Sequence, residues 1–282
     1  MSSYNFFPLI SAVSGAVLIV ITKFILTKKH TLVRDYIPFL FLAIFILLAP
    51  VVNLRPLNKI QPPNVVAILL FLLVIILACL WNVLYYRAIK LTSVQEFELI
   101  DLFSPFFTIL LAALIYQNER KLFSLLFALL AFGVLLISHL FEKGLKLPKQ
   151  TPYLFLVIFL MAMEAIFWEP LLNFFSPFML YFLRCGIIAA IFILLWRPSY
   201  HNLKKQGVLG LIVLSGLFAI FHMVSRMYGF KEVGIVVTMA TYVLTPMLVF
   251  ILDALILRER LKIRNLLAAA FIIFFAILAQ IK

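Results

Sequence analysis

Along the chain, long apolar runs alternate with short polar breaks. Ten runs stand out, near Phe6–Leu26, Tyr36–Val52, Val65–Ile89, Val94–Tyr116, Leu122–Phe141, Tyr153–Phe174, Pro177–Trp196, Val208–Phe230, Val233–Leu257 and Ile263–Ile281. A helix that crosses a bilayer needs roughly 20 mostly apolar residues. The hydrocarbon offers no partner for backbone N–H and C=O groups, so each run predicts a transmembrane helix that satisfies its own backbone. No run alternates apolar and polar positions over the length of a barrel strand. The breaks carry the expected punctuation: three prolines between Asn53 and Asn64, a Lys/Pro-rich linker at Glu142–Pro152, and a polar stretch from Arg197 to Gly207.

The Glu142–Pro152 linker divides the chain into halves, 1–142 and 152–282, of five spans each. Five is odd, so the second half must enter the membrane from the side opposite to the first. The pattern therefore predicts an all-α membrane protein of ten transmembrane helices, arranged as two inverted five-helix repeats. The halves also share residues. SPFFTILLAALIYQNERKLFSLLFALLAFGVLLI, from Ser104, answers TPMLVFILDALILRERLKIRNLLAAAFIIFFAIL, from Thr245. Ser104-Pro105 matches Thr245-Pro246 at an offset of 141 residues, and Glu119-Arg120 matches Glu259-Arg260 at 140. A long internal period of this kind signals duplication, and duplicated hydrophobic bundles are a common transporter plan.

Composition sharpens this picture. Hydrophobic residues make up 66% of the chain and charged ones 12%, with 30 phenylalanines. No soluble domain could cover that much apolar surface, so a multi-pass protein of the cell inner or plasma membrane is expected, with the lipid bilayer as a partner. The net charge of +13 does not point to nucleic acid, because the basic residues sit in short turns where they act as topology signals and headgroup contacts. The turns after spans 1, 3, 5, 7 and 9 hold well over twice as many Lys and Arg as those after spans 2, 4, 6 and 8. By the positive-inside rule the odd turns are cytoplasmic and both termini outside. Cys79 and Cys185 fall inside spans and are expected as free thiols. No positive residue precedes the first apolar run, so a cleavable signal peptide is not expected.

The half-repeat resembles the EamA-like unit of the drug/metabolite transporter superfamily. That unit has a short turn after its third helix, a fourth helix with an internal Ser/Thr-Pro, a Gly-Glu-Arg-like turn and a final apolar helix. Ser176-Pro177 through Arg184 resembles the family's Pro-led second helix with a buried arginine. Two features depart from the pattern: Asn118 and Arg258 replace the glycine before Glu-Arg, and Ala43 falls near where the first half would place its arginine. The resemblance implies an exporter or exchanger of amino acids, drugs or other small metabolites.

Charged residues inside a span are costly, about 2.5–3.5 kcal/mol each on insertion scales, and face the bundle interior or a water-filled cavity. In span 4, Glu98, Asp101 and Pro105 share one helical face, with Glu96 nearer the interface, where acids also suit a helix start. The matching span 9 carries Thr238, Thr241 and Thr245, with Tyr242 opposite Asp101, and Pro246. Each proline frees a carbonyl one turn earlier and kinks its helix, and paired interrupted helices point to a transporter's binding site. Glu164 lies halfway along span 6, with Trp168 one turn on and Glu169-Pro170 beyond. Span 7 adds Arg184, and span 8 adds His222 and Arg226 one turn apart.

These charges admit two readings. Glu164–Arg184 or Asp101–Arg226 could neutralise one another as structural pairs. Alternatively an arginine grips a substrate carboxylate or phosphate through its planar fork, or an acid exchanges a proton and couples transport to it. Asp253 is expected to pair near the interface with Arg258 or Arg260. Glu119 and Glu259 are expected as turn and cap residues that fix the hairpin between the last two helices of each half. Lys23, Lys90 and Lys231 should snorkel from span ends. Trp81, Tyr85, Tyr86 and Tyr228 suit either a pocket for an aromatic ligand or the interfacial belt.

No Gly-rich phosphate loop with Lys-Ser/Thr and no Gly-x-Ser-x-Gly elbow occurs, so neither ATPase nor hydrolase chemistry is expected. The four histidines and two cysteines are scattered, which leaves no metal site and no cofactor to expect. The expected function is a secondary transporter of a small polar or amphipathic metabolite such as an amino acid, working by alternating access about a cavity lined by spans 1, 3, 4, 6, 8 and 9. The alternatives are a lipid-handling protein or membrane enzyme acting on a headgroup, and a non-transporting membrane subunit.

Overall fold

In the computed structural model the described residues are 6–54, 62–91, 103–120, 151–205 and 207–257, with scattered positions between 122 and 137 and between 270 and 278. They are helical almost throughout. The first half gives α1 (Phe6–Lys23), which runs on into a π-helical turn (Phe24–Lys28), then α2 (Val33–Leu54), α3 (Val65–Leu91) and α4 (Phe103–Ile115). A 3₁₀ turn at Gln117–Glu119 follows α4. The second half gives α5 (Thr151–Leu171), α6 (Pro177–Trp196), the short α7 (Tyr200–Lys205), α8 (Leu209–Glu232), α9 (Ile235–Tyr242) and α10 (Leu244–Leu257).

Six stretches are long and apolar enough to cross a membrane, and they coincide with expected spans 1, 2, 3, 6, 7 and 8. Spans 4 and 9 are seen as shorter apolar helices. Spans 5 and 10 fall largely outside the described residues, as do Glu96, Glu98 and Asp101 at the start of span 4.

Local chemistry explains the boundaries. Ser176 caps α6 by accepting the Met179 N–H at 3.2 Å, with Pro177 at the first helical position, where its missing N–H costs nothing. Arg197 ends α6 in the left-handed conformation. Asn64 accepts the Ala67 N–H at 2.8 Å and starts α3. One expectation changes. The polar break after span 7 contains a helical turn, α7, preceded by Ser199, whose hydroxyl accepts the Asn202 N–H at 3.4 Å. Span 9 is interrupted, as its proline predicts: it divides at Val243 into α9 and α10. Pro246 has no N–H to return to the Tyr242 carbonyl one turn earlier, so the division falls where the proline leaves the ladder incomplete.

The bundle is apolar on its outer face, and its largely apolar interior also holds the buried polar and charged side chains. On α3, Val65, Leu69, Leu72, Ile76 and Leu80 are exposed at helical spacing, whereas Phe71, Val74, Ile75 and Ala78 are buried on the other side. Exposed apolar side chains cost nothing against lipid tails. Helix association here depends on close packing and on hydrogen bonds between helices. Accordingly α1 turns small residues, Ser11, Ala12, Ser14, Gly15 and Ala16, into the interior.

The helices pair across the linker. The most extensive packing is α1 on α8, α2 on α6 and α3 on α5, followed by α2 on α8, α4 on α5, α1 on α10 and α4 on α9. Each main pair is antiparallel. Phe7 stacks on Tyr228 while Ser11 meets His222; Phe45 stacks on Phe182 while Asp35 meets Ser199; Phe71 meets Phe175 while Tyr153 bonds Leu84.

Candidate functional site

A cavity of about 70 Å³ opens where these pairs meet, with walls from α1, α2, α3, α5, α6, α8 and α9. Helical spacing delivers the side chains. Met161, Glu164 and Trp168 recur at i, i+3 and i+7 on α5, and Ala219, His222, Met223 and Arg226 form one face of α8. Of the residues singled out in the sequence, Glu164, Trp168, Arg184, His222, Arg226 and Tyr242 all line this one space.

On one side lies a buried ion pair. Arg184 Nε donates to Glu164 Oε1 at 2.6 Å and Nη2 donates to Oε2 at 3.3 Å. Both side chains are no more than 2% exposed. The Trp81 indole N–H from α3 also donates to Glu164 Oε2. The guanidinium lies against the rings of Phe41, Trp81 and Tyr181, with centroids at 5.8–5.9 Å. Glu164 thus accepts three donors. Of the two pairings legible in the sequence, Glu164–Arg184 is formed, and Asp101–Arg226 involves a residue outside those described.

The opposite side is built on Arg226, which is 4% exposed. Its guanidinium sits among Tyr242, Phe230 and Trp168, with ring centroids at 5.2, 5.4 and 5.6 Å. The Trp168 indole N–H is buried with no acceptor among the described residues. One turn before Arg226, His222 Nδ1 lies 2.9 Å from the Ser11 carbonyl oxygen and 3.1 Å from its hydroxyl. A carbonyl can only accept, so Nδ1 carries the hydrogen and Nε2 is left as an acceptor. Gly15 permits this contact: a Cβ there would lie 2.9 Å from His222 Nδ1. The Tyr242 ring lies against the imidazole at 5.4 Å.

The remaining candidates sort by position. Pro105 is buried near the start of α4, and Pro246 is buried just after the α9–α10 break. Trp81, Tyr85 and Tyr86 line the cavity, whereas Tyr228 packs between Phe7 and Phe178. Lys23 and Lys90 donate to the carbonyls of Ile89 and Thr31, which ties the ends of α1 and α3 together. The side chain of Asp253 and residue Glu259 lie outside the described parts.

Glu119 caps a helix start beyond its own hairpin: Oε1 accepts the Ile235 N–H at 2.8 Å and Oε2 accepts the Val236 N–H at 3.0 Å, at the start of α9 in the other half. The second helix of its own hairpin lies largely outside the described residues. Asn82 and Tyr181 also line the cavity. Asn82, a lone amide in an apolar run, carried a signal that could have found it, and Tyr181 lies within the Ser176–Arg184 stretch.

The described fold has a close counterpart among solved structures. One, titled "Crystal structure of protein", superposes with a TM-score of 0.73 over 99% of this chain and 97% of its own, at 14% sequence identity. That likeness speaks to the fold alone. No curated protein sequence matches the chain. A family model described as "EamA-like transporter family" matches it twice, over residues 2–139 and 151–280.

Proposed function

We propose that this chain, which belongs to the EamA-like transporter family and is a multi-pass integral membrane protein, is a secondary carrier for a small metabolite bearing a carboxylate on an aromatic or apolar body. The observation that carries the reading is the cavity, walled by helices from both matched segments and holding two buried arginines among rings. The Glu164–Arg184 pair braces one wall. Arg226, with its planar fork and three aromatic neighbours, and Trp168, with its N–H, offer donors to an anionic group. His222 Nε2 offers one acceptor to a hydroxyl or amino group on the same molecule. The aromatic faces suit an apolar body.

Alternating access fits the packing. If the halves are inverted repeats related by an axis in the membrane plane, exchanging them turns the α1–α8 pair into α5–α3 and makes each self-exchanging pair antiparallel. The pairs α1–α8, α3–α5 and α2–α6 follow that rule. The cavity is also small: about 70 Å³ holds a few water molecules, so loading a metabolite requires the halves to part. Movement of this kind around a fixed central site is the usual carrier mechanism.

The test is binding and flux of purified protein. Aromatic and aliphatic carboxylates should raise the thermal midpoint by mass action, their amides and methyl esters should not, and Arg226→Ala should abolish the shift, measured against that variant's own unliganded midpoint. Flux of the stabilising compound into proteoliposomes, with and without an imposed pH gradient, tests carriage and proton coupling. Stabilisation by organic cations alone, or no flux of any binder, would overturn the reading.

A further inference from the structure

The Gln117–Glu119 turn and its N-cap Tyr116 touch two of the four cavity-lining helices of the opposite half, α9 and α5. Glu119 is buried, at 8% exposure, and its two carboxylate oxygens take the first two amides of α9, at 2.8 and 3.0 Å. Those amides belong to the orphan donors of a helix start. A carboxylate there gains from both charge assistance and the positive end of the helix dipole. From the same turn, the Tyr116 hydroxyl donates to the Ile166 carbonyl of α5 at 3.0 Å, between Glu164 and Trp168 in sequence.

The seat is shaped for a carboxylate. Gly234, immediately before α9, has φ of +97°, and a Cβ built there would lie 2.8 Å from Glu119 Oε1 and 3.1 Å from Oε2. Any other residue would be strained in the backbone and would push the carboxylate away. α9 itself is an eight-residue rod, about 12 Å long at 1.5 Å per residue. It is joined to α8 through Val233-Gly234 and to α10 through the break at Val243. Tyr242, at its far end, forms cavity wall against His222 and Arg226.

We propose that Glu119 is a positioning residue of the transport cycle: carried by the first half, it seats α9 of the second, holds Tyr242 in the cavity wall and keeps the cavity closed at this end. Opening at this end breaks the two hydrogen bonds from the Ile235 and Val236 amides and lets α9 turn about Val243. Its consequence for flux rests on the carrier reading; the clamp itself does not.

The test uses full-length protein in lipid nanodiscs, with Cys79→Ala and Cys185→Ala removing the native thiols and Ala219→Cys placing one in the cavity. The rate of maleimide labelling reports access. Loss of two charge-assisted bonds should raise that rate at least about tenfold in Glu119→Ala. Gly234→Ala should do the same without touching the carboxylate, and Glu119→Gln, which keeps a carbonyl acceptor for one amide, should fall between. Rates within twofold of the parent in Gly234→Ala and Glu119→Gln would overturn the clamp, whether or not Glu119→Ala folds. Faster labelling in a protein that carries no solute would leave the clamp standing and sink the carrier reading.

Discussion

Separating the Glu164–Arg184 pair gives the sharpest check on how this interior is held together. Arg184→Met removes Nε and Nη2, at 2.6 and 3.3 Å from the carboxylate, and leaves Glu164 with the Trp81 N–H in a site no more than 2% exposed. Leaving one partner of a buried pair uncompensated costs about 3–5 kcal/mol. The lost stacking on Phe41, Trp81 and Tyr181 is partly made good by the thioether, which also favours aromatic neighbours. Glu164→Gln strands the guanidinium instead, with a similar cost. In the double variant Glu164→Gln/Arg184→Met neither charge remains, and the amide carbonyl still accepts from Trp81. Its loss should therefore be at least about 2 kcal/mol smaller than the sum of the single losses. Reversible unfolding in mixed detergent micelles, followed by tryptophan fluorescence, measures all four corners of the cycle. Additivity to within about 0.5 kcal/mol would refute the reasoning, since residues in one network must couple.

Gly15→Ala places a methyl 2.9 Å from His222 Nδ1, so α1 and α8 must part or the imidazole must tilt. A loss of about 1–3 kcal/mol is expected from the same unfolding measurement. Trp168→Phe keeps a ring against Arg226 and deletes an indole N–H that has no acceptor among the described residues. Stability should stay within about 0.5 kcal/mol of the parent while carboxylate affinity, read by titration calorimetry, falls about tenfold, as for one lost charge-assisted hydrogen bond. Pro246→Ala returns an N–H within reach of the Tyr242 carbonyl and favours a continuous α9–α10 helix. The melting temperature should rise or hold and turnover in proteoliposomes should fall.

Much of the fold is legible in the sequence because a membrane helix is written as a run of sufficient length. Span 7, expected at Pro177–Trp196, is α6 to the residue, and span 3 differs from α3 by two residues at one end. Rotation about the helix axis is not written in the same way. On α3 the lipid-facing Leu69 and Ile76 and the buried Phe71 and Ile75 are equally apolar, so hydropathy cannot say which face is inside. The polar exceptions can. Glu164, Arg184, His222 and Arg226 mark inward faces because only the interior offers them partners. Which of them pair is settled by packing between helices remote in sequence, as with Trp81 and Glu164. The role of Glu119 was hidden for that reason: its hydrogen-bond partners lie 116 and 117 residues away, and the positive φ of Gly234 and the carboxylate packed against it, which explain the glycine, appear only in the fold.

The crosswise pairing of the helices also bears on how the protein is made. The chief partner of α1 is α8 and that of α3 is α5, so helices of the first half, which leave the ribosome earlier, have their main packing surfaces supplied by the second half. Until the second half is inserted, the faces of α1 and α3 that carry Ser11, Ser14, Trp81 and Asn82 lack the α8 and α5 surfaces they pack against in the complete fold. Assembly of these pairs can be completed only once both halves are in the membrane.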